Sequence, residues 1–188
     1  MTRSRLALAF GETLELDLVS GERAPADTEA LVVAQDVHLI LGEAGVIEDR
    51  RETPQQALAA AAETRPRRRG SVVVSSRHHG GPLLLQAIVY DFGESPPARD
   101  IHVFEALLAA FEEARARGLS RLAVQPLGTN HSGMAPRRFL QLLAQVCYST
   151  AELGSSVRRV HLLLRSPDEL SRYEELLPSL SQRADRRG

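Results

Sequence analysis

The feature that most narrows the fold of this chain is an alternation of short apolar runs with longer amphipathic ones. In the second half, Ile101, Phe104, Leu107, Leu108 and Phe111 fall on one stripe at helical spacing. Asp100 is placed to cap that helix and Gly118 to end it. "RLAVQ", residues 121–125, follows as a strand. The next helix starts at Pro136, turns Phe139, Leu140, Leu143, Val146 and Cys147 inward, and is expected to end near Gly154. "RVHLLL", residues 159–164, reads as another strand, and Ser166, Pro167, Asp168 and Glu169 form a capping box that opens a last helix. Strands that alternate with helices in this way build a largely parallel sheet between helical layers.

The first half supplies the remaining strands. "RLALAF" and "TLELDL" follow one another with no helix between them, which makes this part antiparallel. Leu14, Leu16 and Leu18 alternate with polar residues, the pattern of a half-buried strand. "EALVVA" is a continuous apolar run suited to the sheet interior, and Thr53 with Pro54 opens an Ala-rich helix that reaches Thr64. "SVVVS" and "LLLQAIVY" add two more strands across "SRHHGGP", where Gly80 and Gly81 mark the turn. The expected architecture is a three-layer α/β/α fold with a mixed, largely parallel sheet of about six or seven strands. At 188 residues and 43% apolar content, residues 1–178 are expected to form one domain and residues 179–188 a flexible tail.

Composition removes several classes of function. Every one of the 23 basic residues is arginine, so Schiff-base catalysis and a Walker-type phosphate lysine are excluded. A net charge of −1 gives no bulk attraction to nucleic acid or to an anionic membrane. The run "RPRRR" at residues 65–69 reads as a solvated connector. No apolar run approaches the roughly 20 residues of a membrane span, and the N-terminus lacks a signal-peptide core, so the expected location is cytoplasmic. Cys147 sits in an apolar helical pattern as an inert thiol, and one cysteine makes no internal disulfide. The adjacent His78 and His79 point apart and do not make a metal site with His102, while His38 and His161 read as packed or edge residues. No metal and no resident cofactor are expected.

The stretch "VQPLGTNHSGMAP", residues 124–136, joins a strand to a helix at the edge where open α/β sheets bind ligands. Gly128 and Gly133 permit positive φ and close approach, the loop N–H groups can converge, and the helix from Pro136 adds a positive dipole end. A phosphate or diphosphate is the natural guest, with Arg137 and Arg138 in the first helical turn.

At these residues the sequence resembles the macro domains. "LAVQPLGTNHSGMAP" is similar to their second phosphate-binding loop, Pro-x-x-Gly-Thr-Gly-x-x-Gly-x-Pro, with Pro126, Gly128, Thr129, Gly133 and Pro136 in the corresponding order, spaced one residue closer after Pro126 and one further before Pro136, and Asn130 in place of the middle glycine. Asn tolerates left-handed backbone better than most residues. "LLLQAIVYDF" resembles the family's Ile-His-Ala-Val strand, with Gln86 for the histidine. The likeness runs from about Gly21 to Tyr173. It implies ligand contacts from Pro126, Leu127, Gly128, Thr129, Asn130, His131, Ser132 and Gly133. It also implies a first phosphate loop at Gly42, Gly45, Val46 and Ile47, interrupted by Glu43 and Ala44, and an adenine-reading acid at Glu22 in the family's Gly-Asp-Ile position. Both asparagines of the family's Asn-Ala-Ala-Asn segment are replaced in Val33, Ala34, Gln35 and Asp36. Asp36 remains as an acceptor for a ribose hydroxyl and as the candidate general base of any hydrolysis, ahead of His131.

The resemblance thus implies a divergent macro domain that binds ADP-ribose or a related nucleotide diphosphate, with ADP-ribosylated protein as a further partner. Glu43 is the feature against it, because a carboxylate about 5 Å from a diphosphate costs about 1 to 3 kcal/mol. A macro-fold interaction module without a ligand, and an ADP-ribosyl hydrolase with atypical residues, are the alternatives. No aromatic platform for adenine is evident after "RVHLLLR", where Ser166 and Pro167 precede Tyr173.

Overall fold

A computed structural model describes residues 2–41, 65–75 and 81–180. Among them, seven strands form one sheet: β1 (Thr2–Phe10), β2 (Leu14–Ser20), β3 (Ala30–Asp36), β4 (Val72–Ser75), β5 (Leu83–Tyr90), β6 (Arg121–Val124) and β7 (Arg159–Leu164). Their spatial order is β1-β2-β7-β6-β3-β5-β4. The five central strands run parallel, and β1 and β4 pair antiparallel at the two edges. The mixed, largely parallel sheet expected from the alternation is therefore the sheet observed.

Three helices follow: α1 (Asp100–Ala116), α2 (Pro136–Glu152) and α3 (Pro167–Leu176). They cover one face of the sheet, where Val103, Leu107, Phe111, Phe139, Leu143, Val146, Cys147 and Tyr173 meet Leu16, Leu18, Val32, Leu85, Leu122 and Leu162 in one buried cluster. Removing that much apolar surface from water is the main force holding these layers together. The opposite face carries Val19, Leu31, Val33, Ala123 and Leu163, packed by Ala24 and Leu84. The helix expected over residues 53–64 and the turn residue Gly80 lie outside the described residues.

Two sequence expectations change in local detail. Asp100 is the first helical residue of α1; Arg99 holds the cap position without a side-chain bond, and the Asp100 carboxylate instead accepts from Arg138 Nε of α2 at 2.5 Å. β2 is not half-buried: only Glu15 is exposed, and Asp17 and Val19 lie under cover on the face expected to meet solvent. Asp17 is compatible with that cover because it has partners. Its Oδ1 lies 2.5 Å from Nδ1 of His161, its neighbour in register on β7, and Arg3 of β1 reaches its other oxygen. Burial alone would push the Asp17 carboxyl up, but the hydrogen bond from His161 and the positive charges of His161 and Arg3 outweigh it and hold the carboxyl below its ordinary value.

The capping box of α3 forms as expected at Ser166, whose Oγ accepts from Glu169 N at 3.2 Å. The Glu169 carboxylate reaches back one residue further than the usual box, to Arg165 N at 2.7 Å. Ser166→Ala is expected to cost about 1 kcal/mol in chemical denaturation. An unchanged midpoint would show that water replaces the cap.

Candidate functional site

Parallel strands present all their C-terminal ends to one edge, and in this sheet those ends are Ser20, Asp36, Tyr90, Val124 and Leu164. Gly21 N donates to Leu164 O at 2.9 Å, which sets the turn at Gly21 and Glu22 beside Arg165. Between the strand ends runs a narrow cleft lined by Ala34, Tyr90, Gln125, Pro126, Asn130, His131, Leu163, Arg165 and Glu169. Its free volume of about 10 Å³ is room for one water molecule.

The loop at residues 125–135 forms one wall. Pro126 and Leu127 are buried and pin the loop to the core, while Asn130, His131 and Gly133 face solvent. Gly128 has φ +77°, and a Cβ there would lie 3.1 Å from Val103 Cγ2 and 3.3 Å from Met134 Cε. A side chain at this position meets both backbone strain and crowding, so glycine is required by the fold itself. Gly133, at φ +70°, faces open space and is needed for its conformation alone. The loop closes on itself: Ser132 Oγ and Met134 N donate to Gly128 O at 2.5 and 3.3 Å, and Thr129 Oγ1 donates to Pro126 O at 3.4 Å. Asn130 is not left-handed, since Leu39 is the non-glycine residue of positive φ among the described residues. Its conformational tolerance is therefore not what admits it here.

Sequence reading missed the group that the loop encloses. Tyr90, at the end of β5, is 1% exposed, and its hydroxyl closes no hydrogen bond among the described residues. Burial pushes the phenol up, while the N–H groups of His131, Asn130 and Gly128 facing its oxygen, and the Arg165 guanidinium, pull it the other way. The ring stacks on Phe92, with centroids 5.6 Å apart and planes 11° apart, and the His131 ring meets both edge-on at 5.3 and 5.6 Å. Phe92 remains 40% exposed. An aromatic surface thus stands at the cleft, but on β5 and the following turn, not after β7 where it was sought. Its sequence signal was slight: two aromatics, Tyr90 and Phe92, at the end of an apolar strand.

Asp36 closes the neighbouring turn. Its Oδ1 accepts from His38 N at 2.7 Å, and its Oδ2 accepts from Ile40 N at 2.9 Å and Leu41 N at 3.2 Å. The side chain is 1% exposed, so both oxygens are committed to backbone. Gln35 locks the same turn from the other side, accepting from Leu41 N at 2.9 Å and donating to Leu41 O at 2.6 Å and to Gln86 Oε1 at 3.2 Å. Gln35, at an alanine position of the motif it resembles, thus bonds both to Gln86, which stands in place of the histidine, and to the backbone N–H of Asp36, which stands in place of the second asparagine.

The other candidates are scattered. Glu22 is exposed at the rim. Gly42, Glu43, Ala44, Gly45, Val46 and Ile47, the expected first loop, lie outside the described residues, as do His78 and His79. Among the described residues no cluster of three or more metal-ligating side chains occurs, and His102 is held below its ordinary pKa by burial and by Arg69. Cys147 is fully buried, and burial alone pushes its thiol far up, away from nucleophilic chemistry. The connector is solvated at Arg65, Arg67 and Arg68, as expected, while Arg69 makes a bidentate pair with Glu94 at 2.7 Å through both nitrogens. No described helix is long and apolar enough to cross a membrane.

No family model matches this sequence, and no curated protein matches it. Solved structures do. The Oceanobacillus iheyensis macrodomain with ADP superposes with a TM-score of 0.73 over 97% of this chain and 100% of that one, at 18% identity. The chain folds as a macrodomain. The Trypanosoma brucei macrodomain in complex with ADP-ribose aligns with a TM-score of 0.62 over 86% of this chain and 68% of that one, at 15% identity. Within the macrodomain fold, the loop at residues 125–135 keeps its glycines, and the turn at residues 36–41 is sealed by side chains of this chain's own.

Proposed function

We propose that this chain is a macrodomain that binds ADP-ribose or a related nucleotide diphosphate. Pro126, Leu127, Gly128, Thr129, Asn130, His131, Ser132 and Gly133 hold one phosphate, Gly42, Gly45, Val46 and Ile47 the other, and Glu22 lies at the nucleoside end. The observation that carries this reading is the loop itself: Gly128 and Gly133 stand at positive φ, Pro126 and Leu127 are buried, and Tyr90, Asn130, His131 and Arg165 line a cleft at the C-terminal ends of the parallel strands. Inward-facing backbone N–H groups of a loop favour an anionic oxygen over any other guest. Macrodomains solved with ADP and with ADP-ribose lend support by fold. A protein that displays ADP-ribose on its surface is the corresponding macromolecular partner.

Binding is preferred to hydrolysis because the Asp36 carboxylate already accepts three backbone N–H groups. A module that works through protein contacts alone is favoured by the narrowness of the cleft beside Tyr90, and the same titration decides between the two. Isothermal titration with ADP-ribose is expected to give saturable binding. Asn130→Glu places a negative charge on an exposed part of the loop and is expected to weaken binding about fivefold to 150-fold through repulsion of about 1 to 3 kcal/mol. Gly128→Glu is the poorer control, since its Cβ would crowd Val103 and disturb the fold. Absence of heat at millimolar ligand would sink the nucleotide reading.

A further inference from the structure

The second phosphate loop is not open to a ligand as it stands. Tyr90 fills the wall that faces Asn130 and His131, its ring held by Phe92 at 5.6 Å and His131 at 5.3 Å, and its hydroxyl is buried without a closed hydrogen bond among the described residues. We propose that the Tyr90 hydroxyl sits in the anion seat of this loop as a built-in competitor, and that a ligand binds by displacing it. This inference rests on the nucleotide reading above and adds to it the residue that sets affinity and selects for charge.

The chemistry of exchange supports selection. A neutral phenol oxygen satisfies inward N–H groups weakly, and here it closes no full hydrogen bond with them. A phosphate oxygen carries charge, and charge-assisted hydrogen bonds are about twice as strong as neutral ones. An anion therefore gains on replacing the phenol, and Arg165 across the cleft adds to the gain. A neutral sugar hydroxyl gains nothing over the phenol it would expel. The seat should thus admit ADP and ADP-ribose and refuse adenosine.

The test uses the full chain with Tyr90→Phe, which removes the oxygen and keeps the buried ring, and Tyr90→Leu as a second variant that also shortens the side chain. Two readouts are taken, after thermal melts show that each variant is folded. Amide chemical shifts of Gly128, Asn130 and His131 are expected to move in Tyr90→Phe beyond those of the rest of the loop. Titration with ADP-ribose is expected to show about tenfold tighter binding in Tyr90→Phe, since the competitor oxygen is gone. Adenosine is expected to bind neither wild type nor variant. Unmoved amides, or equal affinity of wild type and both variants, overturn the competitor while leaving nucleotide binding intact. Moved amides with no binding by any variant overturn the nucleotide reading, and with it the competition, and leave the phenol as a packing contact.

Discussion

Asp17→Ala is expected to lower the stability of the chain by about 3 kcal/mol, measured as a shift in the urea midpoint at neutral pH. The carboxylate is 4% exposed on β2, hydrogen-bonded to His161 at 2.5 Å and paired with Arg3. Breaking a buried pair by removing one partner costs about 3 to 5 kcal/mol, because the other partner is left in a dry place. The lower end applies here: Arg3 is 51% exposed and returns to water when Asp17 is removed. Nε2 of His161 has no hydrogen-bond partner among the described residues, and the nearest carboxylate beyond Asp17 is Asp27 at 3.9 Å, so nothing takes over the role of Asp17.

The pH dependence follows from the direction of the shift. The Asp17 pKa is lower in the folded chain than its ordinary 3.8, so its contribution is present above that value and is lost as pH falls through the lower, folded value. Wild type should therefore lose stability more steeply than Asp17→Asn on acidification below pH 3.8. Parallel stability curves for the two proteins in that range, or a loss under about 1 kcal/mol in Asp17→Ala, would mean that the pair holds nothing together.

That pair also marks where the sequence stops being legible. The order of strands and helices was readable because Leu107, Phe111, Leu143 and Val146 recur at helical spacing, and because Gly118 and Gly154 stand where those helices stop. Local rules suffice for such elements. Asp17 and His161 lie 144 residues apart in sequence, and their contact exists only through the register of β2 on β7. Alternation of Leu14, Leu16 and Leu18 with polar residues therefore gave a half-solvated strand, where the fold gives a buried one. The same limit governs the candidate site. Pro126, Gly128 and Gly133 were readable, since a loop's backbone requirements are written in its own residues. The presence of Tyr90 at the loop was not, because it comes from a strand 38 residues earlier than Gly128, by a contact that no spacing encodes.

Asp36→Ala is expected to cost about 3 kcal/mol and to open the turn at residues 37–41, seen as faster hydrogen exchange of His38, Ile40 and Leu41. The variant removes the acceptor of three backbone N–H groups at 2.7, 2.9 and 3.2 Å. Each buried donor left without a partner costs about 1 to 3 kcal/mol. His38 and Ile40 are only partly buried, so water recovers part of that sum, while Leu41 N keeps Gln35 Oε1 at 2.9 Å. Leu39 adds to the load: it is held at φ +63°, a left-handed conformation that costs a branched residue about 1 to 2 kcal/mol, and the bonds to Asp36 on either side of it keep it there. Loss of any ADP-ribosyl hydrolysis in Asp36→Ala would then follow from an opened cleft as readily as from a missing base. The stability measurement separates the two. Should Asp36→Ala be as stable as wild type within about 0.5 kcal/mol, water alone would satisfy the turn, the carboxylate would be free to meet a ribose hydroxyl, and the case for hydrolysis would gain what the case for a purely structural Asp36 had lost.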